Sequence, residues 1–264
     1  MRMTVLGARG SVPVEGNSFS VYGGATSCFK VEAGDEEIYL DAGSGIVSAK
    51  PSPHSRLTIL LTHMHLDHVV GLPFFLALGQ PRRPIDIYAR SCSGLTPKEA
   101  LDRLIAPPFW PVTLEQYPSN VKIHVMPDEK ISIGDIDVEA IESSHPNNSV
   151  VYRLTQCGRA LVYATDFEHN NPERVEALIK FADGCDLLLY DAQYTIEEYD
   201  RYRGFGHSTA EVGLEIAARA GAKRLMLVHH APWRTDDRIA EFERRLSERH
   251  ENISFARIGD VIEL

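Results

Sequence analysis

Cysteine is sparse: four residues, Cys28, Cys92, Cys157 and Cys185, are spread over 264 positions. No C-x-x-C pair exists, so no disulfide framework is expected and the four are read as reduced packing residues. Long apolar runs are lacking as well. The greasiest stretches, LTILL and VVGLPFFLAL, are short or interrupted, which excludes a membrane-spanning helix. The opening MRMTVLGARGSVP has neither the apolar region nor the cleavage site of a signal peptide, so a cytoplasmic location is expected. Positive charge is scarce too. Lys and Arg total 27 against 37 Asp and Glu, a formal charge of −10. That balance opposes a broad basic face for long nucleic acid. A small anionic substrate stays allowed, because a dication in a pocket outweighs a distant field. Low-complexity linkers and short repeats are absent, and one domain over 1–264 is expected.

What is present is an ordinary α/β pattern. Strand-like runs occur at 3–7, 27–33, 37–41, 57–63, 85–89, 121–126, 136–141, 149–155, 160–166, 186–192 and 224–230, bounded by turn residues. Helical periodicity fits 97–105, 172–182, 209–220 and 236–250. Pro172 follows the caps Asn170 and Asn171, and Ser208 or Thr209 precedes the next helix. Early hairpins followed by strand–helix alternation predict a four-layer αββα sandwich. The stretch GARGSVPVEGNSFSVYGG (7–24) is too long for a tight turn and reads either as a loop over a site or as a surface loop.

One segment does not fit a packing role. LLTHMHLDHVVG (60–71) sets His63, His65, Asp67 and His68 beside one another directly after an apolar strand. Alternation along an extended chain turns His63 and His65 to one side. Neutral imidazole and carboxylate suit Zn²⁺, Mn²⁺ or Fe²⁺, and buried charges without such a partner are costly. Four ligands from one strand end cannot complete two metal sites. The other candidates share one placement, an ionisable group at the carboxyl end of an apolar strand: His145, Asp166, and His229 or His230. His207 stands in the glycine loop GFGHST. Ligands gather at such strand ends in α/β folds. Asp41 and Asp191 end strands too, but read better as acceptors for turn amides. His54, His124, His169 and His250 read as surface or core histidines.

The H-x-H-x-D-H signature in LLTHMHLDHVVG resembles the metallo-β-lactamase superfamily. GARGSVPV, YGGATSCFKVEAG, YLDAGSGI, APPFWPVTLEQ, VYATDFEH, LLLYDAQYTIEEY, GFGHSTAEVGLEIA and LMLVHHAPWRTDD look like its phosphoribosyl cyclic phosphodiesterase-like branch. The resemblance implies the metallo-β-lactamase fold and two divalent metal ions, zinc by default and manganese or iron as alternatives. His63, His65 and His145 would hold one metal, Asp67, His68 and His229 the other, and Asp166 would bridge. Asp67 and His207 would be catalytic, the latter beside the substrate phosphate. The implied reaction is attack of a metal-bridging hydroxide on a small phosphodiester, cyclic ones included. Alternatives are hydrolysis of a lactone, thioester or β-lactam, or a non-catalytic metal-binding sensor. Departures from relatives also matter: there is no C-x-C-x-x-C cluster for a structural zinc and no inserted arm of the ribonuclease Z kind. Flavodiiron relatives have Glu where His65 stands. Expected substrate contacts are Ser144, Asn148, Trp233 and His207, with Asn147 and Arg203 as further rim candidates and Tyr22, like Trp233, as a ring for stacking on a base or ribose. The expected partner is a small-molecule phosphodiester, not long nucleic acid or membrane, and a homodimer is allowed.

Overall fold

The apolar runs pair into two seven-stranded sheets in a computed structural model that describes residues 1–264. The first holds β1 (Arg2–Gly7), β2 (Cys28–Ala33), β3 (Glu36–Leu40), β4 (Arg56–Leu60), β5 (Pro84–Ala89) and β6 (Asn120–Val125). The second holds β7 (Ile131–Ile133), β8 (Ile136–Glu142), β9 (Val150–Gln156), β10 (Arg159–Ala164), β11 (Leu187–Asp191), β12 (Leu225–Val228) and β13 (Ile253–Phe255). The last strand, β14 (Val261–Glu263), returns to pair with β1 in the first sheet. Helices are α1 (Leu66–Val69), α2 (Pro97–Leu104), α3 (Pro172–Phe181), α4 (Ile196–Tyr202), α5 (Ala210–Ala220) and α6 (Asp236–Ser247).

Three apolar layers hold these elements. Val5, Phe29, Val31, Ile38 and Leu40 from one sheet meet Val138, Tyr152, Leu154, Leu161 and Leu189 from the other in a buried cluster. A second cluster joins the outer face of β10, β11 and β12 to Leu178, Ile216, Ala217, Ile239 and Phe242 of α3, α5 and α6. A third packs Ile59 and Ile87 against Val69, Leu72 and Leu101. The central strands β3, β4, β10, β11 and β12 are apolar on both faces because each sheet is covered on both sides there, and the result is the expected αββα sandwich. No helix is long and apolar enough to cross a membrane.

The topology decides where the chemistry falls. β3, β4 and β5 run parallel, as do β10, β11, β12 and β13. Their carboxyl ends bring Asp41, His63, Asp166, Asp191 and His229 to one edge of the sandwich. Apart from β11, which ends on Asp191, the strands stop before these residues, earlier than the pattern predicts. Thr62 N–H, for instance, donates to Asp41 Oδ1 at 2.7 Å instead of to a neighbouring strand. The short strands β7, β13 and β14 and the helices α1 and α4 were not foreseen. Three-residue strands carry too little alternation to be read. Cys28, Cys92 and Cys185 are buried, whereas Cys157 is exposed in the β9–β10 turn with φ 50°, so it does not serve packing.

One ion-pair cluster pins the start of β11. Buried Asp186 accepts from Ala160 N at 2.9 Å, Arg159 Nη1 at 2.8 Å and Lys223 Nζ at 2.9 Å. Burial opposes its charge, but Lys223, the amide and Arg159 outweigh that and hold the carboxyl below its usual range. A depressed carboxyl contributes stability that is complete above about pH 4 and fades as acid protonates the folded state. Asp186→Asn is expected to cost about 1–2 kcal/mol at pH 7. In urea melts the gap from wild type should close as pH falls below about 4; a gap constant with pH would contradict the charge argument.

Candidate metal centre

Seven side chains from four segments converge at the strand edge. Asp166 stands between them. Its Oδ1 faces His63 Nε2 at 3.8 Å and His145 Nε2 at 3.7 Å, and its Oδ2 faces His68 Nε2 at 3.1 Å and His229 Nε2 at 3.3 Å. His65 joins the first group, its Nδ1 lying 3.1 Å from His145 Nε2. Asp67 joins the second, with Oδ2 3.4 Å from His68 Nε2 and 3.2 Å from His229 Nε2. His63, His65 and His145 thus form one potential ligand set, and Asp67, His68 and His229 another. His230 is elsewhere: it is buried, its Nε2 meets Ala256 O at 2.9 Å, and burial beside Arg9 lowers its pKa to about 3.

The residues fit a bound cation. The Nε2 atoms of His63 and His68 are buried without a hydrogen-bond partner. Donors about 2.0–2.1 Å from a tetrahedral zinc ion lie roughly 3.3 Å apart, close to the spacings above. The opposite ring nitrogens are tied down. His63 Nδ1 meets Thr62 Oγ1 at 3.0 Å, His68 Nδ1 meets Asp41 Oδ2 at 2.8 Å, and His145 Nδ1 meets Gly206 O at 2.9 Å. Such contacts set which nitrogen keeps a lone pair for metal.

The electrostatics point the same way. Burial holds the imidazoles of His63, His65 and His145 below their ordinary values, for His63 with help from His68. For His68, burial is outweighed by Asp166, Asp67 and Asp41, which push it up. His229 is raised to about 9, against burial, chiefly by Asp166 and Asp67. Asp67 and Asp166 are held low by His68 and His229, again against burial. The carboxylates thus favour the charged forms of His68 and His229, and a cation entering that half competes with protons, so its uptake strengthens as pH rises.

Backbone geometry shapes the edge. Asp41, Asp166 and His229 all adopt left-handed φ, at 61°, 51° and 63°. Asp and His tolerate this better than branched residues, and such strain concentrates at functional positions. Gly206, at φ 92°, passes so close to His145 that a Cβ would meet its Nδ1 at 2.0 Å. The glycine-rich stretch 7–24 does lie over the site: Ser11 N donates to Asp67 Oδ2 at 2.7 Å.

His207 stands beside the cluster, with Nδ1 2.9 Å from Asp191 Oδ2, which leaves Nε2 as its free ring nitrogen. Asp191 does accept backbone amides, from Asp166, Gln193 and Ser208, but it also orients this histidine. Asp41 has the same double duty, serving Thr62 and His68, with Tyr163 OH donating at 2.8 Å. Neither orienting role was read from sequence. Glu168 was missed altogether. Buried, it accepts from Gly204 N at 2.7 Å, Gly206 N at 3.0 Å and Tyr199 OH at 3.1 Å, and so fixes the loop that carries His207. Glu168→Gln swaps one acceptor for a donor facing Gly206 N–H. It is expected to lower kcat about tenfold or more with metal content unchanged; wild-type kcat would contradict the positioning role.

Several rim expectations fare differently. Ser144 Oγ donates to Asn170 at 2.9 Å and Asn148 Nδ2 to Ser91 O at 3.4 Å. Both side chains are engaged away from the histidines, that of Asn148 from a turn in which it and Asn147 have left-handed φ. Asn147 instead reaches His65 Nε2 at 3.0 Å. Tyr22 is buried with its hydroxyl on Glu243 at 2.6 Å, so it offers no stacking face. Arg203 pairs with Asp200 at 2.9 Å. Trp233 is half exposed.

An αββα sandwich with a histidine–aspartate cluster at its strand ends defines the metallo-β-lactamase class of hydrolase folds. The chain belongs to that superfamily: the family model described as "Beta-lactamase superfamily domain" matches residues 36–230. A ribonuclease Z from Natronomonas pharaonis is 24% identical over 281 residues, covering 87% of this chain and 86% of that protein. The metallo-β-lactamase fold protein YhfI from Bacillus subtilis superposes with a TM-score of 0.74 at 20% identity, over 100% of this chain and 98% of the other. A diphosphatase from the PhnP family gives 0.71 at 20% identity, over 100% and 97%.

Proposed function

We propose that the protein is a dinuclear metal-dependent phosphodiesterase acting on a small phosphodiester. The observation that carries this is the split of Asp166, one carboxylate oxygen toward each histidine group, next to a histidine oriented by Asp191. His63, His65 and His145 would hold one ion and Asp67, His68 and His229 the other, with Asp166 shared. Once bound, such ions supply Lewis acidity to phosphoryl oxygens and bring the pKa of water toward about 7.

The chain's own residues do the rest. Ser11 N–H holds Asp67 Oδ2, which leaves Oδ1 free to orient the attacking water. Asp191 Oδ2 meets His207 Nδ1 and so orients the ring with Nε2 as the proton donor. The proton passes from Nε2 to the departing alkoxide, whose bond to phosphorus breaks opposite the attack. Asn147, in reach of His65, adds a donor at the rim for a non-bridging oxygen.

The ribonuclease Z and diphosphatase names of similar proteins favour phosphorus over a carbonyl. The ribonuclease Z relatives also bring RNA back as a substrate class, against which stands the charge of −10. The test is apo-protein reconstituted with Zn²⁺, Mn²⁺ or Fe²⁺ and assayed in parallel on cyclic phosphodiesters, a short RNA, a lactone and a cephalosporin. Turnover confined to phosphodiesters is expected, with the cyclic ones favoured. Lactone or cephalosporin turnover alone would replace the proposal, and a metal-loaded protein inert toward all four would mark a sensor.

A further inference from the structure

Aromatic rings crowd the side of the centre where the segment after β11 meets the turn after β12. Tyr194 is buried and stands edge-on to His207, with ring centroids 5.7 Å apart. It stacks on Tyr202 at 4.6 Å and 9°. Trp233 lies nearly parallel to both, 5.8 Å and 28° from Tyr202, 6.4 Å and 20° from Tyr194. Phe205 meets Tyr202 edge-on at 5.9 Å. One ring, that of Tyr194, therefore separates His207 from Trp233.

Packing accounts for Tyr194 and Tyr202 but not for the outer pair: Trp233 is 50% exposed and Phe205 62%. Both outer residues are held in place. The loop around Phe205 is fixed by Glu168 through Gly204 and Gly206. Next to Trp233, Arg234 donates to Gln193 O at 3.1 Å and Glu198 Oε2 at 2.6 Å, while its carbonyl accepts from Arg9 at 2.9 Å. A rigid, half-exposed aromatic surface loses little entropy on binding. Planar π-systems stack on such surfaces without needing sequence-specific hydrogen bonds.

We propose that Trp233 and Phe205 form a base-binding subsite, so that the substrate is a nucleotide whose phosphodiester lies at His207 and whose base stacks on Trp233. This rests on the phosphodiesterase reading and narrows it to base-bearing substrates. The test compares wild type, Trp233→Ala and Trp233→Phe on cyclic mononucleotides, a short RNA and a base-free cyclic ribose phosphate. Trp233→Ala is expected to raise KM for base-bearing substrates about tenfold with kcat within about twofold. Trp233→Phe should recover most of the loss, and the base-free substrate should be unaffected. Turnover of cyclic mononucleotides or of RNA identifies the source of the base. Equal KM changes on base-bearing and base-free substrates, or none, would overturn the subsite. A second readout needs no turnover: in a Trp110→Phe background, adenosine monophosphate should quench Trp233 fluorescence. If no phosphodiester is cleaved, the phosphodiesterase reading falls by itself and the quenching alone decides the subsite; absence of quenching would overturn it.

Discussion

Asp166→Ala is expected to strip metal from both halves of the centre and to lower turnover by roughly three orders of magnitude. The reason is geometric. One oxygen of Asp166 faces His63 and His145 while the other faces His68 and His229. Removing the carboxylate takes a ligand and a negative charge from two sites at once. Asp166→Asn separates these contributions, since it keeps the shape and loses the charge. Elemental analysis after dialysis should find less than one ion per chain in the alanine variant. Two tightly held ions with low activity would make Asp166 catalytic but not bridging, and two ions with full activity would remove it from the centre.

The second large effect belongs to His207. His207→Ala is expected to keep its metals and lose about 10²–10⁴ in kcat. The expectation follows from its ring contacts: Nδ1 is committed to Asp191 and Nε2 is free. Because the side chain stands outside both ligand triads, metal content should match wild type. KM should move little if its role is proton donation, and should rise if the ring mainly binds phosphate. Substrates with better leaving groups should be less affected, since they need no proton. Full activity in this variant would take His207 out of the mechanism, and loss of metal would make it a ligand.

The strand edge was legible in sequence where local pattern carries the information. His63, His65, Asp67 and His68 announce themselves because four ionisable groups after an apolar strand have no packing use. Asp166 and His229 share one placement, the end of a strand about to reach solvent. The strand leading to His63 ends earlier than its alternation predicts, since Asp41 captures the Thr62 amide that the pattern assigns to the ladder. Asp41 and Asp191 were read as turn acceptors, which they are. Their second role, turning an imidazole, depends on which distant segment lies alongside. Glu168 leaves no trace of its own, being one carboxylate in DFEH among many. The aromatic platform is similar: Tyr194, Tyr202 and Phe205 flank or end α4, Trp233 lies in the turn after β12, and only the packing of α4 against that turn brings them together. Asn148 and Ser144 turn away from the histidines for the converse reason. A polar residue near a ligand in sequence points wherever its backbone sends it, and here that is toward Ser91 and Asn170.

Anomalous diffraction from metal-loaded crystals, recorded on either side of the absorption edge, tests the centre most directly. Two peaks are expected, one on each side of the Asp166 carboxylate. The first should touch His63, His65 and His145, the second Asp67, His68 and His229. A single peak, or peaks remote from these seven side chains, would contradict a shared two-cation centre.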